Sequence, residues 1–210
     1  MKKILLISLI ATSTFSQTSN IFEPIDVFDL EYVSNTQISP NGDKVLYQRN
    51  FNDIMTDESF SNIWLINYDG TDNRPITTGN FKDTSPKWSN QGDKFVFKSN
   101  RGNKSQIFLF DLKNNSIQKL TNFQYSIETV KWSPDDNYIL FSSFIDSKRD
   151  KLINMPEKPK GAKWNNPPVE ISDLNYKYDS SGFRKPGEVQ FFTIPVSGGT
   201  PRQISNIKPE

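Results

Sequence analysis

The side chains that could do chemistry in this chain are carboxylates, hydroxyls and amines, because it contains neither histidine nor cysteine. Without imidazole there is no Ser-His-Asp or Cys-His catalysis and no imidazole metal site. No Gly-x-Ser-x-Gly elbow presents a serine, and no Gly-rich phosphate loop occurs. Lysine serves as a base only when desolvated, and no lysine beyond the amino-terminal segment reads as lying in a clearly apolar run. Asp135-Asp136 is a carboxylate pair, but it falls in a predicted turn, where a solvated Asp is the default. Ser39-Pro40-Asn41-Gly42-Asp43 has the composition of a calcium loop. Such a loop needs many oxygen ligands at fixed offsets ending in a bidentate Glu, which the sequence lacks. Asn, Gly and Asp fit a hairpin turn through φ > 0 instead. The sequence therefore assigns no catalytic, cofactor-binding or metal-ligating residue, and its substrate-binding residues are not assigned.

The elements that would hold these residues repeat: the same turn occurs three times. Gln37-Ile38-Ser39-Pro40-Asn41-Gly42-Asp43-Lys44-Val45-Leu46-Tyr47 returns as Lys87-Trp88-Ser89-Asn90-Gln91-Gly92-Asp93-Lys94-Phe95-Val96-Phe97. It returns again as Lys131-Trp132-Ser133-Pro134-Asp135-Asp136-Asn137-Tyr138-Ile139-Leu140-Phe141. A second segment, Ser61-Asn62-Ile63-Trp64-Leu65-Ile66-Asn67, recurs 44 residues later as Ser105-Gln106-Ile107-Phe108-Leu109-Phe110-Asp111. It recurs more loosely as Glu188-Val189-Gln190-Phe191-Phe192-Thr193-Ile194. A third closes each unit: Arg74-Pro75-Ile76-Thr77, Gln118-Lys119-Leu120-Thr121 and Arg202-Gln203-Ile204-Ser205.

Aromatic and β-branched residues fill these runs, as a half-buried pleated surface prefers, and no long segment has helical spacing. Four antiparallel strands in a repeat of about 40–45 residues make a propeller blade. The predicted fold is all-β: a partial β-propeller of about three four-stranded antiparallel blades, at 31–78, 84–122 and 127–206, with an inserted loop segment in the third. Trp64, Trp88, Phe108 and Trp132 are expected at equivalent places between blades, as core rather than as a ligand platform. Three blades leave two unpaired flanks and open edges, an aggregation liability.

Two stretches interrupt the pattern. Asn50 to Phe60 reads as a polar loop with Asp53, Asp57 and Glu58, lengthening the first unit by six residues. Residues 144–188 are rich in Lys and Pro. Long structureless loops are often functional, so two readings stay open for both stretches: substrate access or exposed excursion.

At the amino terminus, Met1-Lys2-Lys3 is a basic region, Ile4 to Ala11 an apolar segment and Thr14-Phe15-Ser16 a cleavage site. Residues 1–16 read as a secretory signal peptide, too short to span a bilayer, with the mature chain, 17–210, beginning near Gln17. A periplasmic or secreted location is expected. No Cys follows the apolar segment, so neither a lipid anchor nor a disulfide forms, although export would permit one. With 25 basic and 24 acidic residues, net charge is +1. No basic field is present to steer nucleic acid or an anionic membrane, so neither is expected as a partner. Asn103-Lys104-Ser105 and Asn114-Asn115-Ser116 match the glycosylation pattern; they are discounted because the short Lys-Lys start looks bacterial.

The repeats resemble the blades shared by periplasmic TolB-type proteins and the prolyl oligopeptidase family. The closing Thr121 and Ser205 are 84 residues apart, 40 more than one period. That interval holds Trp164-Asn165-Asn166-Pro167-Pro168-Val169-Glu170-Ile171, then Leu174-Asn175-Tyr176-Lys177-Tyr178-Asp179-Ser180-Ser181-Gly182-Phe183. Val189-Gln190-Phe191-Phe192 and Gly198-Gly199-Thr200-Pro201-Arg202-Gln203-Ile204 follow. This order resembles the acylaminoacyl-peptidase branch, with its Tyr-Arg-x-Asp-Gly-x-Gly stretch and Gly-Gly-x-Pro-Arg-Gln-Leu-Thr ending. Lys177 stands for the usual Arg and Ser180 for the first Gly. Ile25-Asp26-Val27-Phe28-Asp29-Leu30 resembles the approach to a first blade.

The resemblance implies an amino-terminal propeller that gates peptide substrates for a carboxy-terminal α/β-hydrolase domain. That domain, which would bring serine, aspartate and histidine, is absent from this chain, so no catalytic position carries over. The expected partners are that hydrolase domain and a peptide substrate, with no cofactor. The chain reads as an amino-terminal fragment or truncated product of an exported serine peptidase. The alternative is a periplasmic TolB-like propeller acting as a protein-binding module, and a ligand-binding propeller is a third reading.

Overall fold

The computed structural model describes residues 21–147, 156–165, 171, 176–179 and 182–207. The signal segment 1–16 and the processing point near Gln17 lie outside them, as do Asn166 to Glu170, Leu174, Asn175, Ser180 and Ser181 of the third unit.

The described chain forms three four-stranded antiparallel sheets stacked side by side, a partial propeller. A short 3-10 helix, Pro24–Asp29, precedes the first sheet; it occupies the stretch whose sequence resembles the approach to a first blade. Strands β1 (Tyr32–Ile38), β2 (Lys44–Asp53), β3 (Glu58–Asn67) and β4 (Arg74–Pro75) make the first sheet, paired in that order. The second is β5 (Thr84–Trp88), β6 (Lys94–Ser99), β7 (Gln106–Asp111) and β8 (Ser116–Lys119). The third is β9 (Ile127–Trp132) and β10 (Tyr138–Asp146), then, after a hairpin of β11 (Lys177–Tyr178) and β12 (Gly182–Phe183), β13 (Gly187–Pro195) and β14 (Arg202–Gln203).

The recurring turn builds the same joint each time. Its serine hydroxyl accepts the backbone N–H five residues on: Lys44 to Ser39 at 2.9 Å, Lys94 to Ser89 at 3.2 Å, Tyr138 to Ser133 at 2.9 Å. The same hydroxyl donates to Asp43, Asp93 or Asp135. The fourth turn position is left-handed, held by Gly42 (φ 77°), Gly92 (φ 73°) and Asp136 (φ 56°). Glycine and Asp are among the residues that tolerate this region. The turn oxygens thus close a hairpin, and among the described residues no cluster of three or more acidic groups is placed to hold a metal ion.

The closing segments also share one device. Thr77 and Thr121 hydroxyls accept the Ile63 and Ile107 N–H groups at 2.9 Å, and Ser205 accepts that of Phe191 at 2.7 Å. This corrects the register expected for the third copy, which aligns Gln190 with Ile63 and Ile107. Phe191 takes that place, and Gln190 instead matches Gln106. Both amides serve their closing hydroxyls: Thr121 donates to Gln106 Oε1 at 2.9 Å and Ser205 to Gln190 Oε1 at 2.7 Å. The alternation of apolar residues is equally good in either register, so only the amide could have fixed it.

Alternation then decides which face meets which neighbour. Leu46, Ile63 and Leu65 of the first sheet pack against Phe95, Phe97 and Phe110 of the second. On the opposite face of the second sheet, Val96, Ile107 and Leu109 pack against Ile139, Phe141, Phe192 and Ile194 of the third. Each large side chain so buried contributes roughly 1.5–3 kcal/mol, against about 1 kcal/mol for a typical hydrogen bond. The seams, not the turns, dominate stability.

Two indoles tie neighbouring sheets as well. Trp88 Nε1 donates to the Gln37 carbonyl at 3.0 Å and Trp132 Nε1 to that of Lys87 at 2.9 Å. The four aromatics expected at one repeated place therefore fall into two classes. Trp88 and Trp132 end inner strands, whereas Trp64 and Phe108 lie on third strands, where Tyr47 pairs with Trp64 and Phe97 with Phe108. Phe108 packs in the first seam. Trp64 does not lie between sheets: on the outer face of the first it stacks with Tyr47 (6.2 Å) under the Arg49 guanidinium (5.0 Å). Parity explains the difference, since Trp64 points away from Leu46 and no sheet precedes the first among the described residues.

Asn50 to Phe60 is a second correction. The expected loop is mostly hairpin, because Asn50 pairs with Ser61, Phe51 with Phe60, Asn52 with Ser59 and Asp53 with Glu58. Phe51 and Phe60 rings lie 5.9 Å apart, so the polar composition conceals one aromatic pair that holds the strands together. Only 54–57 remain as its tip.

Candidate functional site

In an antiparallel meander successive turns alternate between ends. The three Ser-initiated turns share one end of the stack with the β3–β4, β7–β8 and β13–β14 turns; the remaining connections, which differ most between units, lie at the other end. These are the 54–57 tip, the β4–β5 connection, the turn from Asn100 to Ser105, the β8–β9 connection and the excursion from Ser147 to Pro186.

This end is locked by side chains from neighbouring loops. Asp83, fully buried, takes a 2.7 Å contact from Arg101 Nη2. The Arg101 guanidinium also sits 4.8 Å over the Phe81 ring and reaches the Thr78 carbonyl at 3.5 Å. Asp83 Oδ1 and Arg101 Nε have no partner of their own. Lys82 N–H donates to Asn100 Oδ1 at 2.8 Å, and Lys104 Nζ to the Gln124 carbonyl at 2.5 Å. Nothing in the local sequence marks Asp83: it looks like any loop Asp until the seam closes over it.

Between the 3-10 helix and the β2–β3 hairpin is a recess of about 430 Å³, lined by Ile25, Phe28, Phe51 and Ile54 and by Asp29, Asn52, Asp53 and Asn80. Asn52 Nδ2 donates to the Val27 carbonyl at 2.9 Å and positions the helix on the hairpin. Asp53 Oδ1 accepts the Met55 N–H at 2.9 Å, which shapes the tip. Of the three acids expected in this loop, Asp53 lines the recess, while Asp57 and Glu58 lie beside a smaller hollow with Val27 and Phe28.

The excursion of the third unit leaves and returns through a narrow neck. Asp146 pairs with Gly187, and Ser147 N–H donates to the Pro186 carbonyl at 3.0 Å. At Gly187 (φ 149°) a Cβ would run into the Ile145 carbonyl and the Phe144 ring. In the excursion, Lys177, the residue standing for the family's Arg, pairs with Phe183 in the β11–β12 hairpin, and Tyr176 and Phe183 stack at 6.4 Å. Trp164, Tyr176 and Phe183 are all exposed.

One lysine departs from expectation. Lys98 follows Phe95-Val96-Phe97 and sits in the second seam, where burial pushes its ammonium below the usual range. Its Nζ donates to the Glu128 carbonyl at 2.5 Å. A desolvated amine is thus present after all, but it is bonded to a backbone oxygen and not to a serine hydroxyl. The polar residues described here can bind and position a ligand; no nucleophile and base are brought together among them. No helix among the described residues is long and apolar enough to cross a membrane.

Residues 34–157 match the TolB beta propeller domain family. Among curated proteins, the chain is 27% identical over 184 residues to an uncharacterized peptidase, YuxL, of Bacillus subtilis, covering 87% of this chain and 27% of the relative. It is 28% identical over 167 residues to dipeptidyl-peptidase 5 of Porphyromonas gingivalis, covering 79% of this chain and 24% of the relative. The chain thus spans about a quarter of the length of these relatives. In shape it is similar to the acylaminoacyl peptidase of Pyrococcus horikoshii, with a TM-score of 0.64 at 20% identity, over 84% of this chain and 25% of that one.

Proposed function

This chain belongs to the TolB beta propeller domain family, and from that premise we propose that it is the propeller portion of an exported serine peptidase of the prolyl oligopeptidase family. It acts in peptide hydrolysis only together with a carboxy-terminal α/β-hydrolase domain, and it restricts which peptides reach that domain. One observation carries the reading: these two relatives are peptidases, and each aligns with most of this chain while the aligned part makes up only 27% and 24% of their own length. The varied end of the stack supports it, since a recess with mixed apolar and polar walls opens beside the first sheet and a long excursion leaves the third there. Residues 1–16 direct export, so the working location is periplasmic or extracellular.

The test is to determine the coding sequence beyond the Glu210 codon, express the continuous product and treat it with a fluorophosphonate. Labelling of a serine in a Gly-x-Ser-x-Gly context, with turnover of aminoacyl or dipeptidyl nitroanilides, is the expected result. A product that is not labelled and turns over none of these substrates overturns the reading. The family name itself favours a second reading, a free-standing TolB-like propeller that binds a protein partner.

A further inference from the structure

The three Ser-initiated turns touch their neighbours, and the two contacts differ. In the first, Pro40, at the second position of the first turn, lies against Gly92, at the fourth position of the next. A Cβ on residue 92 would come within 3.1 Å of Pro40 Cδ. In the second, those positions hold Asn90 and Asp136. The Asp136 carboxylate accepts the backbone N–H groups of Asn90 (2.8 Å) and Gln91 (2.9 Å) and the Asn90 side-chain amide (2.7 Å). The Asn90 amide also donates to the Ser133 carbonyl at 2.8 Å. The pairings exclude one another. Proline has no N–H for a carboxylate, and a Cβ at the fourth position would crowd its ring; glycine opposite Asn90 would leave the turn's donors without their acceptor.

We propose that this is a neighbour code: position two of each turn selects position four of the next, Pro with Gly and Asn with Asp. The open side of the third sheet is then a docking surface for a further repeat of this same chain. It presents Pro134 at position two, so it fits a turn with glycine at position four. It also presents the Lys131 carbonyl in the register of Gln37 and Lys87, which each accept an indole from the next sheet. The occupant therefore carries a tryptophan at the end of its inner strand. A second copy of the first sheet fits less well, because it offers Gly42 but has Ile38 where the tryptophan belongs. The docking half rests on the proposed continuation of the chain beyond residue 210; the code does not.

The code is tested in the 210-residue chain with Asn90→Pro, Asp136→Gly and the double variant, followed by thermal unfolding. Each single variant should lower Tm, and the double should recover at least half of the summed loss, because it recreates the Pro40–Gly92 joint. Additive losses overturn the code. Should a single variant not fold, amide exchange of the unaltered chain decides: Asn90 and Gln91 N–H groups must be protected, and exchange at the rate of free turn amides overturns it. The docking half is tested by joining a copy of Thr78–Thr121, which carries Trp88 and Gly92, after Ser205. Two versions are compared, one unaltered and one with Gly92→Asp in the added copy. A higher Tm for the unaltered fusion than for its Gly92→Asp version is expected, and equal values overturn the docking surface even if the chain proves to continue.

Discussion

The two ends of the stack are built by opposite rules. At one end, three turns of nearly the same sequence give the same hairpin, with Ser39, Ser89 and Ser133 in one role and a left-handed residue in the fourth place. At the other, no two units agree: a short tip at 54–57, a turn at Asn100–Ser105 and an excursion of some forty residues from Ser147 to Pro186. A repeat that keeps the first turn of each unit constant and varies the connections at the opposite end leaves those connections free for recognition. In the proposed function, the varied end is where peptides are admitted.

The seams serve both ends. Phe141→Ala empties a fully packed site between the Phe123 and Phe192 rings, each 5.4 Å away, and should cost about 3–5 kcal/mol by urea unfolding. Next comes the buried ion pair of the varied end. Arg101→Met strands the buried Asp83 carboxylate and should cost on the order of 3 kcal/mol. If it costs nothing, this ion pair carries no structural load.

Smaller effects follow. Trp132→Phe removes the indole bond to Lys87 and should lower stability by about 0.5–1.5 kcal/mol. Replacing residues 156–165 of the excursion with a Gly-Ser linker of equal length should leave stability within about 0.5 kcal/mol, as for surface changes away from packed features. A larger loss would place the excursion with the structural end. Last is a pH effect. The Ser133 hydroxyl, then the Asn137 side chain and N–H, hold the Asp135 carboxyl at about 2, below its ordinary 3.8. A depressed folded value means that this carboxylate's contribution is present above 3.8 and is lost as pH falls towards 2. Asp135→Asn should flatten the acid limb of the stability profile in that window, and a carboxyl titration by NMR should place its midpoint near 2.

How much of this was legible in the sequence follows from what each residue does. The turns could be read because Ser, Gly and Asp act within five residues of one another. The closing Thr77, Thr121 and Ser205 could be read because they recur at a fixed place. The register of the third copy could not be read from apolar alternation, since the adjacent Phe191 and Phe192 put an aromatic on each face in either register; the amide of Gln190 was the available signal. Trp64 escaped because its type recurs while its face does not. Lys98 and Asp83 escaped because their burial is made by residues distant in sequence, 30 residues away for the Glu128 carbonyl and 18 for Arg101. Of the candidate site, the sequence located the excursion, but not the recess formed when the 3-10 helix settles on the hairpin.

The most direct measurement compares the 210-residue chain with the longer product of the proposed function in one assay, hydrolysis of aminoacyl and dipeptidyl nitroanilides together with fluorophosphonate labelling. A serine nucleophile needs a base within hydrogen-bond reach, and this chain has no histidine to supply one. We expect no turnover and no labelled serine from the chain alone, and both from the continuous product. Turnover by the chain alone, or none by the continuous product, would contradict a gating propeller that depends on a hydrolase domain for its chemistry.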